Sequence, residues 1–126
     1  MDQPFSSKVA LVTGGNSGIG RAIALAFAEQ GAKVMVAARR VADGEETVSM
    51  IRDAGGEAKF VQTDVAKSAE VQAMVASCIN EYGQLDIAVN NAGIEGTSMV
   101  PTADYEEAVW QQVIDINLTG VFLCMK

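Results

Sequence analysis

Apolar residues fall in short, β-branched runs that alternate with stretches of helical spacing. Between the runs, apolar side chains recur three and four residues apart, as on the buried face of a helix. Strands separated by helices are typical of βαβ units, so the pattern predicts a parallel sheet with helices on both faces. The four runs read as strands are Val9 to Thr13, Lys33 to Ala38, Ala58 to Thr63 and Leu85 to Asn90.

The predicted helices differ in how clearly they end. The fourth is predicted to begin at Asp104, with Glu107 as its capping partner, and to continue to the last residue. No glycine, proline or polar run closes it. The first three stop at glycines or just before them and are predicted at Gly18 to Gln30, Ala42 to Ala54 and about Ser68 to Gly83.

Composition limits the classes of partner. The 126 residues are 49% hydrophobic and 20% charged, which is typical of one globular domain or part of one. A formal net charge of −7 disfavours nucleic acid and anionic membrane surfaces as partners. Since the start is not signal-like and no later segment approaches the ~20 apolar residues of a membrane span, we expect a cytoplasmic protein.

Histidine and cysteine usage narrows the chemistry. The chain has no histidine, which removes histidine general bases, Ser-His-Asp triads and nearly every zinc site, so we predict no metal centre. Cys78 and Cys124 stand on separate apolar segments of helical pattern. We expect both to be buried free thiols.

A glycine-rich turn follows the first predicted strand and opens the first helix. Its sequence, from Thr13 to Gly20, is TGGNSGIG. Gly14 would permit a tight exit from the strand, Gly18 and Ile19 would present backbone to a diphosphate, and Gly20 would let the helix pack closely. A glycine-rich connection that holds no ligand would have the same spacing, so the turn alone leaves both readings open.

Two arginines follow the second strand. A carboxylate at this place commonly binds the adenosine ribose, but Ala38 offers no polar group there. Arg39 could instead pair with a 2′-phosphate, which favours NADP over NAD. The alternative is that Arg39 and Arg40 are ordinary solvated surface residues.

Polar residues also follow the third and fourth strands. Asp64 and Val65 could offer a carboxylate and a backbone amide to an adenine edge, or Asp64 could simply cap the next helix. The run Asn90 to Gly93 has paired asparagines that could bridge neighbouring strands, followed by small residues that leave room for a ribose. The alternative here is an ordinary Asn-Ala-Gly turn.

Together TGGNSGIG, TDV, NNAG and VIDINLTG, in this order, resemble the short-chain dehydrogenase/reductase family. The resemblance implies a Rossmann-type, doubly wound sheet of strand order 3-2-1-4, incomplete here, that binds NAD or NADP. Asn90 would be mainly structural, and Asn117 would match the family's active-site asparagine, which bends its helix and orders a water for proton relay. The cofactor-binding residues implied are Gly14, Asn16, Ser17, Gly18, Ile19, Gly20, Arg39, Asp64, Val65, Asn91, Ala92 and Gly93.

The chain departs from the family pattern in one respect. Members carry a serine, and a tyrosine followed four residues later by a lysine, after the asparagine. Here Tyr82 is followed at that spacing by Asp86, and Tyr105 by Val109. Since proton transfer to a carbonyl needs a group with a pKa near neutrality, we expect no turnover from residues 1–126 alone.

We therefore predict the NAD(P)-binding part of an oxidoreductase that transfers hydride between a nicotinamide cofactor and a carbonyl or alcohol. The predicted domain covers residues 1–126 and ends within the helix carrying Asn117. The alternative is a non-enzymatic nucleotide-binding or subunit-interaction module. Family members are usually homo-oligomers. We expect self-association through the edge of the fourth strand and a helix face bearing Trp110, Ile114, Val121 and Phe122.

Overall fold

A parallel sheet of four strands forms the centre of the computed structural model, which describes residues 3–126. Met1 and Asp2, part of the predicted domain, lie outside the described residues. The observed order β3-β2-β1-β4 confirms the prediction. Thr13 lies opposite both Ala37 and Asn90, so the carboxyl ends of the strands share one edge. The strands are β1 (Val9–Thr13), β2 (Lys33–Ala38), β3 (Glu57–Gln62) and β4 (Ile87–Asn90).

Helices cover both faces of this sheet. On one face, α1 (Gly18–Glu29) and α2 (Val41–Asp53) pack against the side of β1 that carries Val12. On the other, α3 (Ser68–Tyr82) packs against the side that carries Leu11. All five residues of β1 are buried, which explains why a central parallel strand has no polar alternation.

The strand and helix bounds agree with the predictions to within one residue, except in β4 and in the last helix. This strand begins at Ile87 rather than Leu85. Asp86 precedes it and still binds β1: its carboxylate accepts the Val9 N–H at 2.8 Å, and its own N–H donates to the Val9 carbonyl at 3.0 Å. A side-chain hydrogen bond from Asp86 therefore takes the place of regular backbone pairing at the start of β4.

The last helix is not the continuous one predicted from Asp104, and that start is wrong. Residues Thr102–Asp104 form a single 3₁₀ turn, extended backbone follows at Tyr105 and Glu106, and α4 covers Glu107–Ile114. The Asp104 to Glu107 pair therefore caps no helix. A π-helical segment, Asp115–Thr119, then joins α4 to α5 (Gly120–Met125).

The helical run Glu107–Met125 also corrects an expectation about membranes. It has 19 residues with a mean hydropathy of 1.2, which is long and apolar enough to cross a bilayer by length and composition alone. The expectation that no segment approaches that length is wrong, because the apolar residues of α5 raise the mean. The same test is met by helices of water-soluble domains, so the finding is weak evidence for a membrane.

Both cysteines are free thiols. Cys78 is buried as predicted, and Cys124 is only partly buried. Burial raises the pKa of each, with the Asp86 charge adding to the effect at Cys78. Neither is therefore a reactive thiolate at neutral pH.

Candidate functional site

A cavity of about 450 Å³ opens at the carboxyl-terminal edge of the sheet. Crevices at this edge are where open α/β sheets bind their ligands. Segments that follow all four strands contribute to its wall. It brings together the predicted cofactor residues Gly14, Asn16, Ser17, Gly18, Ile19, Arg39, Asp64, Val65, Asn91, Ala92 and Gly93.

Gly20 is the one predicted cofactor residue outside the cavity wall, and its role is close packing. It is buried in the first turn of α1. A Cβ built on it would collide with the Gly14 carbonyl oxygen and lie 2.5 Å from Asn91 Nδ2. Any side chain here would push α1 away from the turn, as the sequence predicted for this position.

The N-terminus of α1 faces this cavity. Ser17 is its N-cap residue but makes no side-chain capping bond, and Gly18 begins the helix with φ of +53°. A Cβ built on Gly18 would meet nothing within 4 Å. Uncapped N–H groups beside open space make a good site for an anion.

Thr13, the last residue of β1, links β1 to the edge strand β4 at this end of the sheet. Its buried hydroxyl donates to the Val89 carbonyl at 3.3 Å and accepts the N–H groups of Asn91 and Ala92, both at 3.1 Å. Asn91 Nδ2 also donates to the Gly14 carbonyl at 3.3 Å. Within residues 3–126, Asn90 makes no such side-chain bond, so Thr13 and Asn91 do the bridging that was expected of the paired asparagines.

The residues after β2 give the cavity a cationic rim. Ala38 is buried, whereas Arg39 and Arg40 are exposed. Arg40 lies 3.9 Å from the Asp43 carboxylate, and in the described part of the chain the Arg39 guanidinium has no ion pair. Arg39 is therefore the more available cation. Wall residues that the sequence reading did not assign to the site are Ala37, Ala38, Arg40, Thr63, Ile94 and Ile116.

Asp64 shapes the turn between β3 and α3 and lines the cavity. Its carboxylate accepts the Ala66 N–H at 3.0 Å, and its own N–H donates to Glu70 in the first turn of α3 at 3.0 Å. These bonds shape the turn before α3. Asp64 and the mostly buried Val65 also line the cavity. The capping alternative is wrong, because Lys67 is the N-cap residue of α3 and this helix has no side-chain capping bond.

Asn117 lies in the π-helical segment and holds the loop after β4. Its Oδ1 accepts the Ile94 N–H at 2.8 Å, and its Nδ2 donates to the Ile94 carbonyl at 2.7 Å. Ile94 lines the cavity, whereas Asn117 is exposed and is not one of its wall residues. π-Helical turns are frequent at functional sites, where they redirect one side chain out of helical register.

Neither tyrosine belongs to this cavity wall. The Tyr105 hydroxyl accepts the Thr97 N–H at 3.2 Å in the loop before α4. Tyr82 lies at the end of α3, where burial, with the charges of Glu57 and Glu81, raises its pKa to about 12. A phenol with that pKa is a poor proton donor or acceptor near neutral pH. Within residues 3–126 no group of three or more acidic or cysteine side chains could hold a metal ion.

Known proteins match this chain along nearly its whole length. A family model described as short chain dehydrogenase matches residues 8–126. A short chain dehydrogenase/reductase of Aspergillus oryzae is 45% identical over 99% of this chain and 49% of its own length. A 3beta-hydroxysteroid dehydrogenase of Mediterraneibacter gnavus is 43% identical over 97% of this chain and 44% of its own.

Similarity to solved structures agrees with these sequence matches. Levodione reductase superposes with a TM-score of 0.91 at 36% identity, over 96% of this chain and 47% of that one. The chain therefore spans about half the length of the relatives it matches.

Proposed function

Because the chain belongs to the short-chain dehydrogenase/reductase family, we propose that residues 1–126 form the NAD(P)-binding part of an oxidoreductase domain. The observation that carries the proposal is the cavity, where the uncapped N-terminus of α1 meets residues from all four strand ends. Such a site fits a dinucleotide, since it pairs anion-binding N–H groups with small residues that leave room for sugars.

Within this site each segment has a proposed role. The Gly14 to Ile19 turn binds the pyrophosphate, Asp64 and Val65 contact the adenine, and Asn91 to Gly93 accommodate the ribose next to the nicotinamide. When bound, the cofactor supplies or accepts the hydride. The protein's own residues bind and orient it, and the Asn117 contact with Ile94 keeps the loop beside it in place.

NADP is the proposed cofactor in preference to NAD. Arg39 stands at the rim without an ion-pair partner among the described residues, and Ala38 gives an NAD ribose no carboxylate. A guanidinium pairs with a phosphate through charge-assisted bonds, whereas it gains little from two ribose hydroxyls.

The reaction class is hydride transfer between this cofactor and a carbonyl or alcohol. The names of the relatives concern a hydroxysteroid in one case and levodione in another, so similarity alone selects no substrate. We propose that a polypeptide of residues 1–126 binds cofactor without turnover, because neither tyrosine has a lysine four residues later. Asn117 is the residue of this chain that we assign to the active site.

We place the protein in the cytoplasm and propose that it associates with a second copy. The basis for association is the helix face on α4 and α5, where Trp110 is 56% and Phe122 57% exposed, while Ile114 and Val121 are half-buried. Exposed aromatic side chains of this size are frequent at subunit contacts.

Titration of NADP⁺ by calorimetry tests the cofactor proposal. Ser17→Glu puts a carboxylate at the exposed, uncapped start of α1, where it should repel the pyrophosphate and raise Kd at least about tenfold. Ser49→Glu adds the same charge on the exposed side of α2 and should leave Kd unchanged. Equal Kd values for both variants, or no binding by the unmodified chain, would overturn the proposal.

A further inference from the structure

Arg21 connects the glycine-rich turn to α2. It lies one residue after Gly20 on α1 and is partly buried. Its Nη2 donates to the Asn16 carbonyl at 2.8 Å and to the Asp43 carbonyl at 3.2 Å. Its Nε donates to the Thr47 hydroxyl at 2.9 Å. One guanidinium thus holds the turn and two successive turns of α2 together.

Thr47 completes the contact from the α2 side. It is fully buried, and its hydroxyl donates to the Gly15 carbonyl at 2.9 Å while it accepts from Arg21. A competing acceptor, the Asp43 carbonyl, is farther away at 3.4 Å. The two consecutive carbonyls of the turn, Gly15 and Asn16, are therefore both bound by the Arg21–Thr47 pair.

The geometry of the peptide bond gives these contacts a consequence for the cavity. In a planar trans peptide the C=O of one residue and the N–H of the next point in opposite directions. Carbonyls of Gly15 and Asn16 that point to Arg21 and Thr47 turn the N–H groups of Asn16 and Ser17 the other way. Asn16 and Ser17 both line the cavity.

We propose that Arg21 and Thr47 are positioning residues for the cofactor: they fix the peptide planes of the turn so that its N–H groups face the pyrophosphate. The proposal rests on the proposed function of the cavity. Neither residue lines the cavity wall, so both act through the backbone of Gly15 and Asn16.

Two ligands distinguish a role in positioning the turn from a general contribution to the stability of the fold. ADP-ribose contains the pyrophosphate, whereas adenosine 2′-monophosphate lacks it and would use only the adenine and Arg39 contacts. Thr47→Val keeps the shape of the side chain but removes the hydroxyl. It should raise the Kd for ADP-ribose about tenfold, as expected from one well-placed hydrogen bond, and change the Kd for the monophosphate less than about twofold. Thr47→Ser keeps the hydroxyl and should restore binding.

Arg21→Lys is the second variant, since it keeps the charge but places all its donors on one nitrogen, which cannot reproduce the contacts made by Nε and Nη2. It should show the same selective loss. The matched control is Arg52→Gln, because Arg52 is also tied to backbone, donating to the Ala58 carbonyl at 2.9 Å, but away from the cavity. The Kd of the Arg52→Gln variant for each ligand should equal that of the unmodified chain.

Equal weakening of both ligands in Thr47→Val and Arg21→Lys, or unchanged Kd values in both, would overturn the positioning role while leaving the cofactor proposal intact. Failure of the unmodified chain to bind either ligand would instead refute the proposed function, and the positioning role with it.

Discussion

Removal of the Thr13 hydroxyl should loosen the edge of the sheet on which the cavity is built. In Thr13→Val the shape is kept, but the three hydrogen bonds of the hydroxyl are lost. The three losses differ in their cost in stability. The Asn91 N–H also lies 3.1 Å from the Val89 carbonyl, so it keeps a hydrogen-bond acceptor when the hydroxyl is removed. The main cost therefore comes from the Ala92 N–H, which loses its acceptor. An unsatisfied N–H of this kind lowers the free energy of unfolding by about 1–3 kcal/mol.

A loss of about 2 kcal/mol would lower the urea midpoint by about 1 M, given an m-value of about 2 kcal/mol/M for a chain of this size. Urea titration followed by circular dichroism at 222 nm measures the shift. Thr13→Ser keeps the hydroxyl and should recover most of the stability. A midpoint for Thr13→Val within about 0.2 M of the unmodified chain would refute the reasoning.

Three further predictions concern the cofactor rim, acid stability and association. Arg39→Ala should raise the Kd for NADP⁺ about tenfold and leave the Kd for NAD⁺ unchanged. A tenfold loss is at the low end of the range for a charge-assisted hydrogen bond, because the side chain is exposed. Equal effects on the two cofactors would contradict the assignment. The Val9 N–H, with Gln84 and Lys8, lowers the pKa of Asp86 in the folded protein. Ionised Asp86 therefore stabilises the fold at pH values above the ordinary aspartate pKa of about 3.9, and this stabilisation is lost as the pH falls through the pKa of Asp86 in the folded state. Urea titrations across that range should show a shallower acid loss for Asp86→Asn; an unchanged slope would exclude this source. Light scattering at tens of micromolar (an ordinary assay range) should show particles larger than a monomer, reduced by Trp110→Gln, and a stable monomer would count against association.

The sequence was sufficient for the sheet and for most of the cavity wall, for a physical reason. Central strands such as β1 are buried on both faces, so they appear as short continuous apolar runs. Once strand order is known, everything directly after a strand lies at one edge. Local pattern and topology together therefore place Gly14 and Asp64 in the same cavity.

Contacts between distant parts of the chain were not predictable in this way. Arg21 and Thr47 are 26 residues apart and meet only because α1 and α2 cover the same face of the sheet. A threonine within a helix gives no local signal of a bond to a carbonyl 32 residues earlier. The start of α4 was missed for another reason, because Asp104 has the chemistry of a cap but lies in a separate 3₁₀ turn.

Amide chemical-shift mapping with NADP⁺ tests most directly whether this cavity binds a nicotinamide dinucleotide. In ¹H–¹⁵N spectra of the 126-residue chain, the largest shifts should fall on Asn16 to Ile19, Asp64 and Val65, and Asn91 to Gly93. Gln3, Gly55 and Gly56, which line a second cavity elsewhere, should not move. Shifts confined to that second cavity, or spread evenly over the chain, would contradict the account.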